Sequence, residues 1–468
     1  MCYLIQLPLT SSAMLTYCIR RQLSVLNRLN VKVSVFHELL QLSKYYGSSN
    51  SDGVLCPAHD MLQLLKKRFF IPPNYPNTDT LMRSDSCPYG PLGVDLNRNI
   101  LEQWWTSVVR SRPQVFGIST LYMVDKEAGK LEMEAMNVLS QTDLNKEQLP
   151  ERQSQVLQHK QSFRSSLLQG ALEQYVPSLE LMNRKLPLGL AETGLCYRPE
   201  SMDSHAIGCS SEVTEASLVW FCSPRTSSQW LDYWTRQRLQ WWRKFVLGPS
   251  DFSVRDMSDE ELTGGASRGV AIQFQFPWGT ETLETLWSLG DTELLRIHQG
   301  TRANLQCKDG KKTVVPHVLS LSANMDRGML AVFYNSLQKV QRVDSKQRLH
   351  QRTVLKLHPT LAPVKVAVDM GRGSTTELRQ VCEGLLDEFL EVGISAWPGY
   401  MDTTQLSMET LHNKYDEMGV LFTVMVGENT LENGLLLVRN RDTTIRETMH
   451  ISEIKQFLLK YISAAGNV

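Results

Sequence analysis

The chain has 468 residues, 42% of them apolar, and its 49 Lys and Arg balance 49 Asp and Glu. That length supports two to four domains with sizeable cores, and the neutral balance excludes a globally basic nucleic-acid binder, so any polyanion site must be a local patch. No run of about 18 apolar residues occurs, so no membrane span is expected.

The first charged residues, from Met1 to His37, are Arg20, Arg21, Arg28 and Lys32, with no acid before Glu38. A helix over "LTYCIRRQLSVLNRLNVKVSVF" would be apolar on one side and basic on the other. That is the pattern of a mitochondrial transit peptide, so residues 1–40 are read as a leader or N-terminal arm. Residues 45–60 are rich in Gly, Ser, Asn and Asp and read as a linker, with a short helix at "MLQLLKKRFF" after it. The polar segment 113–165, with Leu, Val and Phe at roughly helical spacing, predicts an inserted helical hairpin that packs on a partner surface.

From 186 to 340, β-rich runs such as "ASLVWFC" and "VAIQFQF" alternate with helical ones such as "WLDYWTRQRLQWWRKF", which predicts an α+β domain built on a mostly antiparallel sheet. The stretch "DFSVRDMSDEELTGGASRG" reads as a polar loop. Residues 353–468 change rhythm, with strands and helices in alternation, and predict a small α/β domain. Within it "LENGLLLVRNRDT" reads as a hairpin turning at Asn433-Gly434. The nine cysteines include no C-x-x-C pair. That spacing excludes a short-looped zinc site and, with an odd count, fits a reducing compartment where most thiols are small buried hydrophobes.

The turn and helix "CPYGPLGVDLNRNILEQWWTSVV" at 87–109 resemble the dimer-forming first motif of glycyl-tRNA synthetases, which are class II enzymes. "LPLGLAETGLCYRPE" resembles the second motif, "SSQWLDYWTRQRLQWWRKF" the Trp-rich helix after it, and "VVPHVLSLSANMDRGMLAV" the third motif. "FPWGTETLETLWSLGDTEL" is similar to a later substrate-side element, and "KLHPTLAPVKVAV", "KYDEMGVLFTVMV" and "TLENGLLLVRNRDTT" to the anticodon-binding domain. The resemblance implies a class II synthetase-like domain over 41–112 and 166–345, interrupted by the helical insertion, and an anticodon-binding-like domain over 353–468.

Such an enzyme holds ATP with arginines and positions metal and amine with carboxylates. Arg198 and Arg327 stand where the second- and third-motif arginines would be. The resemblance places Ser217 and Val219 at two of the enzyme's glutamates, and Ser320 at a third acid. Removing one partner of a desolvated charge costs roughly 3–5 kcal/mol, so aminoacylation is expected to be absent and Arg198, Ser217, Val219, Ser320 and Arg327 to be remnants. No cofactor or metal is expected.

A void synthetase scaffold behind a mitochondrial-style leader is similar to the accessory-subunit family of mitochondrial DNA polymerase gamma. "TEASLVWFCSPRTSSQWLDYWTRQRLQWWRKF" and "KLHPTLAPVKVAVDMGRG" carry that resemblance. It implies a homodimer in the mitochondrial matrix nucleoid that binds the catalytic subunit and double-stranded DNA and raises processivity. A divergent mitochondrial glycyl-tRNA synthetase is the alternative, and a tRNA-binding regulatory protein a third.

Residues 353–468 hold 10 Lys and Arg against 15 Asp and Glu, a net of −5, which suits protein docking better than phosphate. Leu435, Leu437 and Val438 are candidate partner contacts with Gly434 setting the turn, or else core. Five cations, Lys339, Arg342, Lys346, Arg348 and Arg352, oppose only Asp344 and form the best local phosphate patch, or else a solvated linker. Lys308, Lys311 and Lys312 are a second DNA-binding candidate. No aromatic interleaves with either patch, so backbone contact without base stacking is expected. Trp104, Trp105, Trp241 and Trp242 are assigned to core and dimer packing, and His317 to the core.

Overall fold

The computed structural model describes residues 58–84, 86–125, 161–198, 212–262, 265–298, 302–343, 349–371, 375–402 and 407–466. The leader and most of the predicted helical insertion lie outside these ranges. Helix α1 (Ala58–Lys67) places Asp60 in its first turn and Lys66 and Lys67 in its last, complementing the helix dipole, and buries Met61, Leu62, Leu64 and Leu65. In α2 (Thr78–Arg83) the cap Asn77 accepts the amide of Thr80 at 2.9 Å. Helix α3 (Pro91–Trp105) begins with proline at its first position and buries Leu92, Leu96, Ile100 and Trp104. Its glycines are dictated by close approach. A Cβ on Gly90 would lie 2.3 Å from the Phe69 carbonyl oxygen, and one on Gly93 would lie 2.0 Å from that of Phe70.

The larger sheet comprises β1 (Val115–Gly117), β2 (Leu188–Tyr197), β3 (Glu212–Cys222), β4 (Phe252–Asp256), β5 (Arg268–Phe276), β6 (Gly279–Gly290) and β7 (His317–Asn324). Its spatial order is β1-β2-β3-β7-β6-β5-β4, with every neighbour antiparallel except β1 and β2. Two expectations are corrected here. Residues 252–256 form an edge strand, not loop, because Phe252 is buried against Phe274 while the next four side chains are exposed. Residues 115–117 join the sheet, so the predicted helical segment begins with a strand.

Helix α4 (Ser227–Lys244) and α5 (Met325–Ser336) join α3 on one face. There Leu218 and Trp220 of β3 and Leu321 of β7 share a core with Trp104, Trp234, Trp242 and Phe333. On the other face Leu190, Val219, Phe221 and Val318 pack with Leu172, Tyr175 and Leu294. Burial on both sides explains why "ASLVWFC" reads as an unbroken apolar run. Trp104, Trp241 and Trp242 are buried as assigned, Trp105 is half-buried, and His317 is half-buried at its strand end.

Strands β8 (Leu337–Val343) and β9 (Leu349–Leu355) pair from Leu337–Leu355 to Val343–Leu349, so the predicted basic linker is the end of an antiparallel ribbon. The C-terminal domain holds β10 (Val366–Met370), α6 (Thr375–Glu391), β11 (Ala396–Pro398), α7 (Met408–Met418), β12 (Phe422–Val426), α8 (Glu428–Asn433), β13 (Leu435–Asn440), β14 (Arg446–His450) and α9 (Ile451–Gly466). Its sheet order is β11-β10-β12-β13-β14, parallel for the first three and antiparallel beyond. Gly434 is not a hairpin turn. It ends α8 at φ 72°, with its amide on the Thr430 carbonyl at 3.0 Å. The hairpin turns after Asn440, whose side chain accepts the amides of Asp442 and Thr443 at 2.8 and 3.1 Å.

Candidate functional site

Strand register sets a polar band across the larger sheet. Ser217 of β3 lies opposite Glu192 of β2 and Ser322 of β7, and Ser322 opposite Thr285 of β6. One step along the same face, Glu215 lies between Gly194 and Asn324. This is the face that carries Ser217, Val219 and Ser320, where the resemblance implies lost acids, but other acids stand on it. Glu192 and Glu215 stand on it, both buried.

Both are already satisfied from within the chain. Glu192 pairs with Arg164 at 2.8 Å and accepts the Thr120 amide at 2.9 Å. Arg164 also donates to the carbonyls of Leu195 and Thr120. A Cβ on Gly194 would lie 2.1 Å from the Arg164 guanidinium, so a larger residue there would push the arginine from this seat. Glu215, with no exposed surface, pairs with Arg198 at 2.6 Å and takes the Leu167 amide at 3.4 Å. The segment 164–167 therefore crosses the band and engages both acids. Ser217 and Ser320 are buried, and the Ser217 hydroxyl makes no hydrogen bond to the protein. Val219 is core.

The third-motif residues are equally engaged. Asn324 caps α5 by accepting the Arg327 amide at 2.9 Å. Asp326 accepts the Thr214 amide at 2.6 Å and the Tyr89 hydroxyl. Arg327 is buried and donates to the Leu81 and Met82 carbonyls at the end of α2, and it pairs with Glu281 at 3.1 Å. Behind the sheet, Glu284 takes Arg238 and the Trp242 indole N–H, each at 2.7 Å. A Cβ on Gly328 would strike the Trp242 ring at 2.2 Å, which accounts for glycine in "MDRG". Among the described residues no group of three or more His, Cys, Asp or Glu is placed to hold a metal ion.

These arrangements hold charge without offering it. An amine or a magnesium ion entering the band would have to displace an arginine from each acid, and a desolvated pair resists that exchange. Sequence reading missed Arg164 and Glu192, because nothing near either residue marks a partner 28 positions away.

Burial also silences the described thiols. It pushes Cys196, Cys222 and Cys382 up to about 12 and Cys307 to about 11, and burial with the Asp326 charge pushes Cys87 to about 12. A raised thiol keeps little thiolate near neutral pH. Iodoacetamide is therefore expected to leave all five unmodified in the native chain and to label them after unfolding, read by peptide mass mapping.

The basic candidates divide. Lys339 pairs with Asp60 at 2.5 Å. Arg352 pairs at 2.6 Å with Asp416, which Arg439 also grips through both oxygens at 2.9 Å. Two of the five proposed phosphate contacts are thus structural ion pairs, because the ribbon packs them against α1 and α7. The side chains of Arg342, Lys346 and Arg348 lie outside the described residues. Lys308, Lys311 and Lys312 are exposed on a short ribbon (Cys307–Asp309 with Lys312–Val314) that turns at Gly310, φ 63°.

On β13, Leu435 is 36% exposed and Leu437 half-buried, whereas Leu436 and Val438 are buried. Val438 therefore belongs to the core, as strand alternation requires. Gly434 is held by more than its positive φ, since a Cβ would lie 2.6 Å from His450 Nε2.

The chain is 47% identical over 421 residues to DNA polymerase subunit gamma-2 of Mus musculus, spanning 87% of this chain and 91% of the mouse protein. It is 50% identical over 384 residues to the Xenopus laevis protein named DNA polymerase subunit gamma-2, mitochondrial, covering 81% and 82% of the two chains. The chain belongs to the DNA polymerase subunit gamma-2 family. A family model described as "Anticodon binding domain" matches residues 364–461, the span from β10 into α9. Glycine–tRNA ligase of Thermus thermophilus is 29% identical over 322 residues, 63% of this chain and 62% of the ligase. This gamma-2 family chain therefore has an aminoacyl-tRNA synthetase-like fold.

Proposed function

We propose that the chain is the non-catalytic accessory subunit of mitochondrial DNA polymerase gamma, binding the catalytic subunit and double-stranded DNA and raising processivity in mitochondrial DNA replication. Kinship with the gamma-2 proteins carries this reading. The closed band supports its non-catalytic half: the acids that stand in and beside it are each bound to an internal arginine, Glu192 to Arg164, Glu215 to Arg198 and Glu281 to Arg327.

On this reading residues 1–40 direct import to the mitochondrial matrix, where the chain works in the nucleoid. Residues 41–112 and 166–345 form the class II-like domain, 113–165 contribute to a homodimer, and 353–468 dock the catalytic subunit through the surface around Gly434, Leu435 and Leu437. Lys308, Lys311 and Lys312, with Arg342, Lys346 and Arg348, supply duplex phosphate contacts, which makes affinity fall steeply with salt.

Two assays separate this reading from a divergent glycyl-tRNA synthetase. Primer extension by the polymerase catalytic subunit on a long template is expected to give longer products when the chain is added. Glycine-dependent ATP–pyrophosphate exchange is expected to stay at background. Exchange above background would establish the enzyme instead, and preferential retention of tRNA over duplex DNA at matched salt would favour a tRNA-binding protein.

A further inference from the structure

Beside the exposed lysine ribbon the surface opens into a cleft of about 270 Å3, lined among others by Leu186, Pro187, Arg225, Trp230 and Asp309. Leu186, Pro187 and Trp230 give it apolar and aromatic lining. Trp230 stands on Trp220 and Tyr233, with ring centroids 4.9 and 5.4 Å away, and turns part of its ring to the cleft. Asp309 is engaged, accepting Ser223 at 2.6 Å and Arg225 at 2.8 Å, while the Arg225 side chain remains 66% exposed. Further cations stand on the neighbouring ribbon that carries Asp309. Lys308, Lys311 and Lys312 are exposed, and a backbone bridge sets the exposed Lys185 beside Lys308. The ribbon alone lacks an aromatic, but the fold supplies one from α4.

A cleft lined by an indole, two apolar side chains and Arg225, with exposed lysines on the ribbon beside it, matches a nucleobase with its flanking phosphates. A base inside a duplex cannot enter, because both of its faces are covered by neighbouring pairs. We propose that this cleft takes an unpaired base next to a duplex, seated against Trp230 with its phosphates on Arg225, Lys308, Lys311 and Lys312. The proposal rests on the duplex-binding reading above and adds to it a preference for a single-stranded extension.

Fluorescence anisotropy on the full chain at fixed salt tests it with three probes: a blunt duplex, the same duplex with a three-nucleotide extension, and that extension made abasic. The extension is expected to tighten binding about fivefold or more, the scale of stacking one base on an aromatic side chain. The abasic probe should lose the gain. Trp230→Leu should lose it while blunt-duplex affinity is unchanged, and Trp230→Phe should keep most of it. The exposed Arg225→Glu should also abolish the gain, independently of any packing effect at Trp230 and without touching the lysines assigned to the duplex. Equal affinity for blunt and extended probes, or a gain that survives Trp230→Leu or Arg225→Glu, overturns the cleft assignment alone. Binding to none of the probes overturns the duplex reading and the cleft with it.

Discussion

Asp416→Ala is expected to lower the stability of the C-terminal domain by about 3–5 kcal/mol, the cost of stripping a buried charge cluster of a shared counter-ion. Asp416 has no exposed surface, and it serves Arg439 through two bonds of 2.9 Å and Arg352 through one of 2.6 Å. Those arginines are themselves 5% and 12% exposed, so truncation leaves two guanidinium groups with little access to water. The change is a large part of a domain's ordinary margin of 5–15 kcal/mol. Urea unfolding followed by circular dichroism should show the midpoint falling with the slope preserved. The neighbouring Glu417→Ala should cost less, because Glu417 meets Lys67 and Arg68 near the surface. A loss below about 1 kcal/mol at Asp416 would mean the cluster is solvated, as exposed pairs are.

Arg164→Ala should be nearly as damaging and functionally silent toward glycine. The Arg164 and Glu192 side chains are 10% and 5% exposed, and the guanidinium lies against Gly194. Removing it leaves Glu192 with the Thr120 amide and hydroxyl alone, at a cost of about 3 kcal/mol. A double-mutant cycle with Glu192→Gln should show coupling, since neutralising the stranded acid recovers part of the loss. Glycine-dependent pyrophosphate exchange should remain at background in every variant, because Arg198 still holds Glu215 and Arg327 still holds Glu281. Exchange appearing in Arg164→Ala would show that one plug, and not a wider loss, keeps the band inert.

Much of the fold could be read from local pattern. The apolar run of β3, the strand–helix alternation after residue 360 and the glycines before α3 each encode a feature that neighbours in sequence determine. The failures share a different cause. The Asn433-Gly434 pair satisfies a hairpin turn and a helix C-cap equally well, and only the packing of α8 beside β13 selects the second. Residues 252–256 look like loop because an edge strand exposes most of its side chains. Counting the motif acids at Ser217 and Val219 missed that Glu192 and Glu215 occupy the same face, because pairing with Arg164 and Arg198 is decided by strand register. The basic run after α5 misled in the same way, since the partners of Lys339 and Arg352, Asp60 and Asp416, come from distant elements.

The seat of Arg164 against Gly194 also bears on how such a chain changes over generations. Any descendant putting Glu192 to use must first give up Arg164, and that first step yields a poorer folder with nothing gained in return. A side chain larger than glycine at 194 would itself unseat the arginine, so a change at either position alters the other's surroundings.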